Sequence, residues 1–381
     1  MTLPSPPASP LDLFLSLVRI PSPSQREGRL AAEICAWLEA CSIPYTIDGS
    51  SAATGSDTGN IIARSWRSAE RPTVLFLAHM DTVEREGSEV HPIVCDDGAV
   101  RSSGDTILGA DNKAAVAAVL SLLANGRVSH ANAIVVFTTC EERGRMGVTA
   151  LGDLAREVDL AFPIDGSYPV GTVLEAALGQ VPFDLRVHGR EAHAARDPDK
   201  GIHAIKAACE IVAGLQMGWA DCSVLNVSEI RGGGETNIVP GFAEIRGEVR
   251  AFERTPLEAR LERVQATARR IAASSDAGIE LILRPEDGAP PFPPSEDGRC
   301  LAVAGAAAAD IGVGLVRQRC VATLEANFVH GMGLATLGIA SGGRRPHSVT
   351  ESLPRGELDR LVGLLDAILT RAADIDPKRP G

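Results

Sequence analysis

Apolar positions along this chain follow two different patterns, and the change from one to the other divides the sequence. In the first, short uninterrupted apolar runs alternate with longer stretches of helical period. Val74-Leu75-Phe76-Leu77-Ala78 and Ala133-Ile134-Val135-Val136-Phe137 are such runs, and a strand apolar at every position is one buried on both faces. Residues 59–63 and 158–164 read as shorter or weaker strands. Helices are expected over 11–18, over 25–40 with Leu30, Ala31, Ile34, Trp37 and Leu38 on one face, and from the alanine-rich Gly109-Ala110-Asp111-Asn112-Lys113 through Leu123. The turn Ile20-Pro21-Ser22-Pro23-Ser24 stops the first of them. Strands alternating with helices predict an α/β fold with a doubly wound, mostly parallel sheet.

From about residue 177 the period becomes two: Val181, Phe183, Leu185 and Val187 alternate with more polar neighbours, as in a half-exposed antiparallel strand. A helix over 201–216, a strand over 224–230, the Gly232-Gly233-Gly234 turn and an alternating strand over 242–252 follow. Thr255-Pro256-Leu257-Glu258 has the form of a capping box with proline at the first helical position, opening a helix to about 273. A strand over 279–283 completes a βαββαβ order, that of a ferredoxin-like α+β module. After a proline-rich linker over 288–295 come a helix over 301–311, a buried strand over 334–340, its loop Ser341-Gly342-Gly343-Arg344-Arg345-Pro346-His347 and an amphipathic helix over 358–371. The expected organisation is one domain from residues 1–176 and 291–381, interrupted by a second over 177–290. The 381 residues are too many for one ordinary core.

Composition narrows the partners. A net charge of -12 argues against nucleic acid or an anionic membrane surface and leaves a small molecule. Eight cysteines without a C-x-x-C pair suit a reducing compartment. The first apolar cluster, 11–18, is short and carries Asp12, which supports neither a signal peptide nor a membrane span. A cytoplasmic protein is expected.

Polar residues with chemical capacity collect where the buried runs end. His79 and Asp81 follow the first, Glu141 and Glu142 the second, Asp165 the weaker strand, and His347 lies in the loop after the last, while Asp111 opens the alanine-rich helix. Each alone has an ordinary reading: a helix N-terminal acid, a solvated pair, a turn, a surface loop. Together they fall at one sheet edge, where ligands of open α/β sheets bind. Two imidazoles and several carboxylates form a ligand set for divalent metal such as zinc. Three carboxylates and a hydroxide balance two dications, whereas the same carboxylates without metal repel one another.

At this point the chain resembles the M20 metallopeptidases, and among them the peptidase T-like aminopeptidases. The resemblance rests on Ala78-His79-Met80-Asp81-Thr82-Val83, Gly109-Ala110-Asp111-Asn112-Lys113-Ala114, Glu141-Glu142, Asp165-Gly166, Gly189-Arg190-Glu191-Ala192-His193-Ala194, Gly232-Gly233-Gly234-Glu235-Thr236-Asn237-Ile238-Val239-Pro240 and His347, in family order over nearly the whole chain. It implies two zinc ions, with cobalt or manganese as substitutes, bridged by Asp111, with His79 and Asp165 completing one site and Glu142 and His347 the other. It implies Glu141 as general base, Asp81 as the carboxylate that orients His79, and the inserted domain as a lid and dimerisation domain. His193 resembles a lid histidine that stabilises the tetrahedral oxyanion, reaching across a homodimer, and Asn237 and Arg250 resemble residues that hold the substrate backbone or its carboxylate. Asn327 is a further substrate-pocket candidate, and His188 reads as structural. The chain departs from the family at Ala322-Thr323-Leu324-Glu325-Ala326-Asn327, where two glycines and an aspartate are common. The implied activity is release of the N-terminal residue of short peptides, with tripeptides as substrate. An N-acyl amino acid deacylase or carboxypeptidase keeps the same metal chemistry, and a peptide-binding protein without catalysis is the alternative from another class.

Overall fold

The computed structural model describes residues 2–83, 87–124 and 131–377. The chain divides into two compact units: Met1–Ala176 with Pro294–Cys320 and Leu324–Gly381, and Ala177–Pro293 with Val321–Thr323.

The first unit is built on a mixed five-stranded sheet in the order Tyr45–Ile47, Ile61–Ser65, Asn132–Thr138, Thr73–His79, Leu160–Pro163. Thr73–His79 is an interior strand, parallel to both of its neighbours, while Ile61–Ser65 pairs antiparallel with Asn132–Thr138 on one side and Tyr45–Ile47 on the other. Its continuous apolar run has a direct cause. Val74, Phe76 and Ala78 point into a large cluster with the helices Pro10–Val18, Ala110–Ala124, Arg299–Asp310 and Glu357–Ala372, whereas Leu75 and Leu77 point into a second cluster with Val148, Leu151 and Val329. Each face of the sheet is thus covered, which removes the polar alternation. The alanine-rich helix lies in the core, with Ala114, Ala115, Ala117 and Ala118 all fully buried. Its small side chains suit a helix that is surrounded on all sides.

The second unit is antiparallel throughout, in the order Gly218–Ala220, Ser223–Gly232, Phe242–Ala251, Gly179–His188, Gly278–Leu283. Leaving aside the short Gly218–Ala220 strand, this is the ferredoxin-like order. The helices Ala204–Gly214 and Arg254–Ser275 cover one face, where Phe183, Leu185 and Val187 meet Ile211, Leu257 and Val264.

Several expectations change. Thr255 caps nothing: the helix begins at Arg254 after an extended Glu253, and no side chain bonds its first turn. The chain therefore turns helical before Thr255, and Pro256 falls within the first turn, where a missing N–H is harmless. The alanine-rich helix is regular only beyond Asn112, because Asp111 and Asn112 have non-helical dihedral angles and the peptide between them is cis. The strand expected over 334–340 reduces to Gly338–Ile339, since this segment bridges Ala161 and Ile164 on one side and pairs with Val173 and Leu174 on the other. Among the described residues no helix is long and apolar enough to cross a membrane.

Candidate metal centre

The parallel strands of the first unit all end at one edge, and the loops leaving that edge carry the chemistry. His79 is the last residue of Thr73–His79 and is only 1% exposed. Its Nδ1 donates to the backbone carbonyl of Asp81 at 2.9 Å. That bond fixes the tautomer of the neutral ring and leaves Nε2 as the candidate ligand atom, 3.4 Å from Asp111 Oδ1.

After Asn132–Thr138 the backbone turns through Cys140, whose φ of 54° lies in the left-handed region, and presents Glu141 and Glu142. The turn closes tightly: Gly147 N–H donates to the Thr139 carbonyl at 3.0 Å, and a Cβ at Gly147 would stand 2.3 Å from that oxygen. Only glycine fits there. Asp165 follows Leu160–Pro163, its N–H donating to the Ile339 carbonyl at 2.8 Å. His347 Nε2 lies 2.8 Å from Glu142 Oε1 and 3.7 Å from Asp111 Oδ2.

Three groups result, each with candidate ligand atoms all within 4.8 Å of one another: His79, Asp111 and Asp165; Asp111, Glu142 and His347; and His79, Glu141 and Glu142. Asp111 is common to the first two.

The electrostatics are those of a site short of positive charge. Burial pushes Asp165 up to about 7, with Asp111 adding to the effect. Burial likewise holds the Glu141 carboxyl well above the usual range, against the pull of His79. For His79 burial disfavours the charged form, but Asp111 and Asp81 outweigh it and raise the pKa. Glu142 raises that of His347. Asp111 Oδ1 is buried without a hydrogen-bond partner. An unsatisfied carboxylate oxygen among crowded acids is the environment that divalent cations relieve, so the donor set fits divalent metal.

Asp81 does more than face the imidazole. Its carboxylate is 3.5 Å from His79 Nδ1, the nearer partner of that nitrogen being its own backbone carbonyl. Oδ1 accepts from Glu141 N–H at 2.9 Å, and Oδ2 accepts from Glu142 N–H at 3.1 Å and Ser24 Oγ at 2.6 Å. Asp81 thus holds the glutamate turn in place.

Two further acids belong to this region and carry no signal in the sequence. Glu351, 2% exposed, accepts backbone N–H bonds from Leu108 and Gly109 at 2.8 Å and from Asp111 at 2.9 Å, fixing the loop that presents Asp111. Glu325 lies in the segment that departs from the family. Burial pushes it up to about 7, with His79, Asp81 and Arg145 within electrostatic reach. Asn327 is fully buried and its Oδ1 accepts from Leu324 N–H at 2.8 Å, so its amide anchors the short helix Glu325–Gly331.

The remaining candidates lie in the second unit. The segments of His193 and Asn237 pair through backbone bonds: Ala194 N–H to the Asn237 carbonyl and Val239 N–H to the Ala192 carbonyl, each 2.8 Å. Both side chains are exposed. His193 Nδ1 accepts from Ala195 and Arg196 N–H at 3.2 Å, which places the proton of the neutral ring on Nε2. Arg250 grips Glu248 through Nε at 2.6 Å and a terminal nitrogen at 3.1 Å, so a substrate carboxylate has to share or displace that partner. His188 is exposed and its ring lies tilted against that of Phe242, with ring centroids 5.6 Å apart.

Comparison with known proteins adds an independent line. The model of the M20 peptidase dimerisation domain matches residues 177–276. The uncharacterized protein YqjE of Bacillus subtilis is 31% identical over 367 residues, which cover 95% of this chain and 98% of that one. The crystal structure of aminopeptidase PepT from Bacillus cereus superposes with a TM-score of 0.88 at 26% identity, covering 96% of this chain and 98% of that one. A tripeptidase from Staphylococcus aureus shares the fold with a TM-score of 0.86 at 24% identity, over 96% and 98% of the two chains. These likenesses run through both units, and the chain belongs to the M20 family of metallopeptidases, among its peptidase T-like members.

Proposed function

We propose that this metallopeptidase is a dizinc aminopeptidase that releases the N-terminal residue of short peptides, tripeptides first among them. The observation that carries the reading is Asp111, whose carboxylate belongs to both the His79/Asp165 and the Glu142/His347 groups. That is the position of a bridging ligand. In this reading His79 and Asp165 would hold one ion and Glu142 and His347 the other, with cobalt or manganese as substitutes. When bound, the metal pair supplies Lewis acidity toward the scissile carbonyl and the attacking water.

The chain's own groups do the rest. Glu141, buried beside the ligands and outside the two groups that share Asp111, takes the proton from the attacking water and delivers it to the leaving amine. Asp81 keeps the Glu141 backbone fixed during both transfers. His193, protonated at Nε2, is suited to donate to the developing oxyanion, and Asn237 and Arg250 to hold the peptide backbone and its carboxylate. The dimerisation-domain match supports a homodimer through the inserted unit, and cysteines scattered without a C-x-x-C pair fit a cytoplasmic location.

The test is mass-spectrometric product analysis of zinc-loaded protein with free tripeptides, N-acetylated tripeptides and N-acyl amino acids, beside a chelated control. Chelator-sensitive loss of the first residue from free tripeptides alone is the expected result. Cleavage confined to blocked substrates overturns the aminopeptidase assignment and leaves the metal chemistry standing.

A further inference from the structure

The second unit contains a cavity with no part in the chemistry above. It is bounded by the end of the helix Ala204–Gly214, the strand Ser223–Gly232 and the helix Arg254–Ser275, and has a volume of about 280 Å³. Leu215, Leu225 and Val264 give it apolar walls, and Arg260 and Arg263 give it charge. Arg260, Arg263 and Thr267, which also lines the cavity, are spaced at i, i+3 and i+7 and so share one helix face.

Arg260 is the unusual member. It is 3% exposed, and one of its terminal nitrogens donates to the carbonyls of Gln216 and Gly218. Its Nε is buried without a hydrogen-bond partner. Among the described residues no carboxylate forms an ion pair with it. Asp221, the acid whose charge reaches it, is engaged by Arg263 at 2.9 Å. Burial and the neighbouring Arg263 both act against its charge. A guanidinium cannot relieve this by losing its proton, as a lysine can, so a buried one with an orphaned donor and no ion-pair partner of its own is suited to an anion. Bracing the helix end accounts for the two carbonyl bonds. It does not account for the orphaned Nε or the open volume, and Arg263, paired with Asp221 and half exposed, stands at the same cavity as a second cation that an anion can share.

We propose that this cavity binds a small carboxylate with an apolar body, the carboxylate held by Arg260 and Arg263 and the body packed on Leu215, Leu225 and Val264. Planar guanidinium groups match carboxylate geometry, and the volume is near the lower end for ligand pockets, which limits the occupant to a few carbons. The site lies wholly within the second unit and stands whether or not the proposed peptide specificity does.

The probe is isovalerate, added to full-length, metal-loaded protein and followed by hydrogen–deuterium exchange, with isovaleramide and inorganic phosphate as parallel arms. A metal centre can also take carboxylates, so the location of protection decides. Isovalerate is expected to protect residues 214–218 and 260–267 saturably, while the amide does not. Arg263→Glu is expected to weaken that protection roughly tenfold or more, the loss of a charged hydrogen-bonding partner, with tripeptide turnover within about twofold of wild type. Arg260→Gln is the second variant, and Arg263→Glu keeps the test decisive if it does not fold. No protection in these segments, equal protection by the amide, protection by phosphate alone, or undiminished protection in Arg263→Glu each overturns the assignment.

Discussion

Replacing Asp81 by Asn isolates the role that the geometry gives it. The side chain keeps its shape, but one carboxylate oxygen becomes an NH2 group. The remaining oxygen is best placed at the Oδ2 position, where it still accepts from Glu142 N–H and Ser24 Oγ, two donors instead of one. The NH2 group then faces the Glu141 N–H at the 2.9 Å now occupied by an acceptor. A charged hydrogen bond is replaced by two donors facing each other, a loss of about 1.5–3 kcal/mol at the turn that aims the Glu141 carboxylate. If that loss is felt in the transition state, turnover falls by roughly 10- to 150-fold. The metal ligands are untouched, and metal content should stay near wild type, with KM changed by no more than about threefold. Steady-state hydrolysis of a tripeptide, with metal measured on the same sample, provides the check. A kcat within about threefold of wild type would refute the positioning role. So would a loss of activity that follows a proportional loss of metal.

Other outcomes follow from the same contacts. Glu351→Ala orphans three backbone N–H groups around Asp111 and is expected to lower unfolding free energy by about 2–5 kcal/mol in chemical denaturation, a change under about 0.5 kcal/mol counting against it. Asn327→Ala removes a local anchor, so a stability loss of about 1 kcal/mol with KM within about twofold is expected, whereas a large KM rise at unchanged stability supports the substrate-pocket role instead. Asp165 and Glu325, both pushed up to about 7 by burial, stand above the roughly 4 of an exposed carboxyl in the unfolded chain. The metal-free fold therefore binds more protons than the unfolded chain between those values. The stability these groups lend is present in full below about pH 4 and is lost as pH rises through about 7. Chelated protein should show a lower Tm at pH 8 than at pH 6, and metal loading should remove most of the difference; equal Tm values for the chelated protein contradict the burial argument.

What the sequence discloses follows from which forces are local in the chain. The runs at 74–78 and 133–137 are legible because burial on both sheet faces erases polar alternation, and the residues at their ends follow from where a parallel sheet opens. The alternation of Phe183, Leu185 and Val187 is legible for the converse reason, one covered face. The short strands Pro92–Val94, Val100–Ser102 and Ser352–Leu353 are too brief to show any period. The segment 334–340 is apolar because it is buried, but its pairing is shared between neighbours that no local pattern encodes. The capping signature at Thr255 fails because the extended backbone at Glu253 starts the helix first. Glu351 could not be found in advance: its meaning lies in N–H groups some 240 residues earlier in the chain. Asp81 was visible as a residue near His79, yet its bonds to Ser24, Glu141 and Glu142 exist only in the folded chain.

The most direct test of the proposed mechanism separates metal binding from proton transfer at one residue. Wild-type protein and Glu141→Gln, loaded with zinc, are compared by elemental metal counting and by release of the N-terminal residue from a tripeptide. The account predicts two zinc ions per chain in both, with turnover in the variant lower by about two to four orders of magnitude, the worth of a general base. Loss of one zinc ion per chain from the variant would make Glu141 a ligand, and near-normal turnover with full metal would remove it from the chemistry; either result contradicts the account.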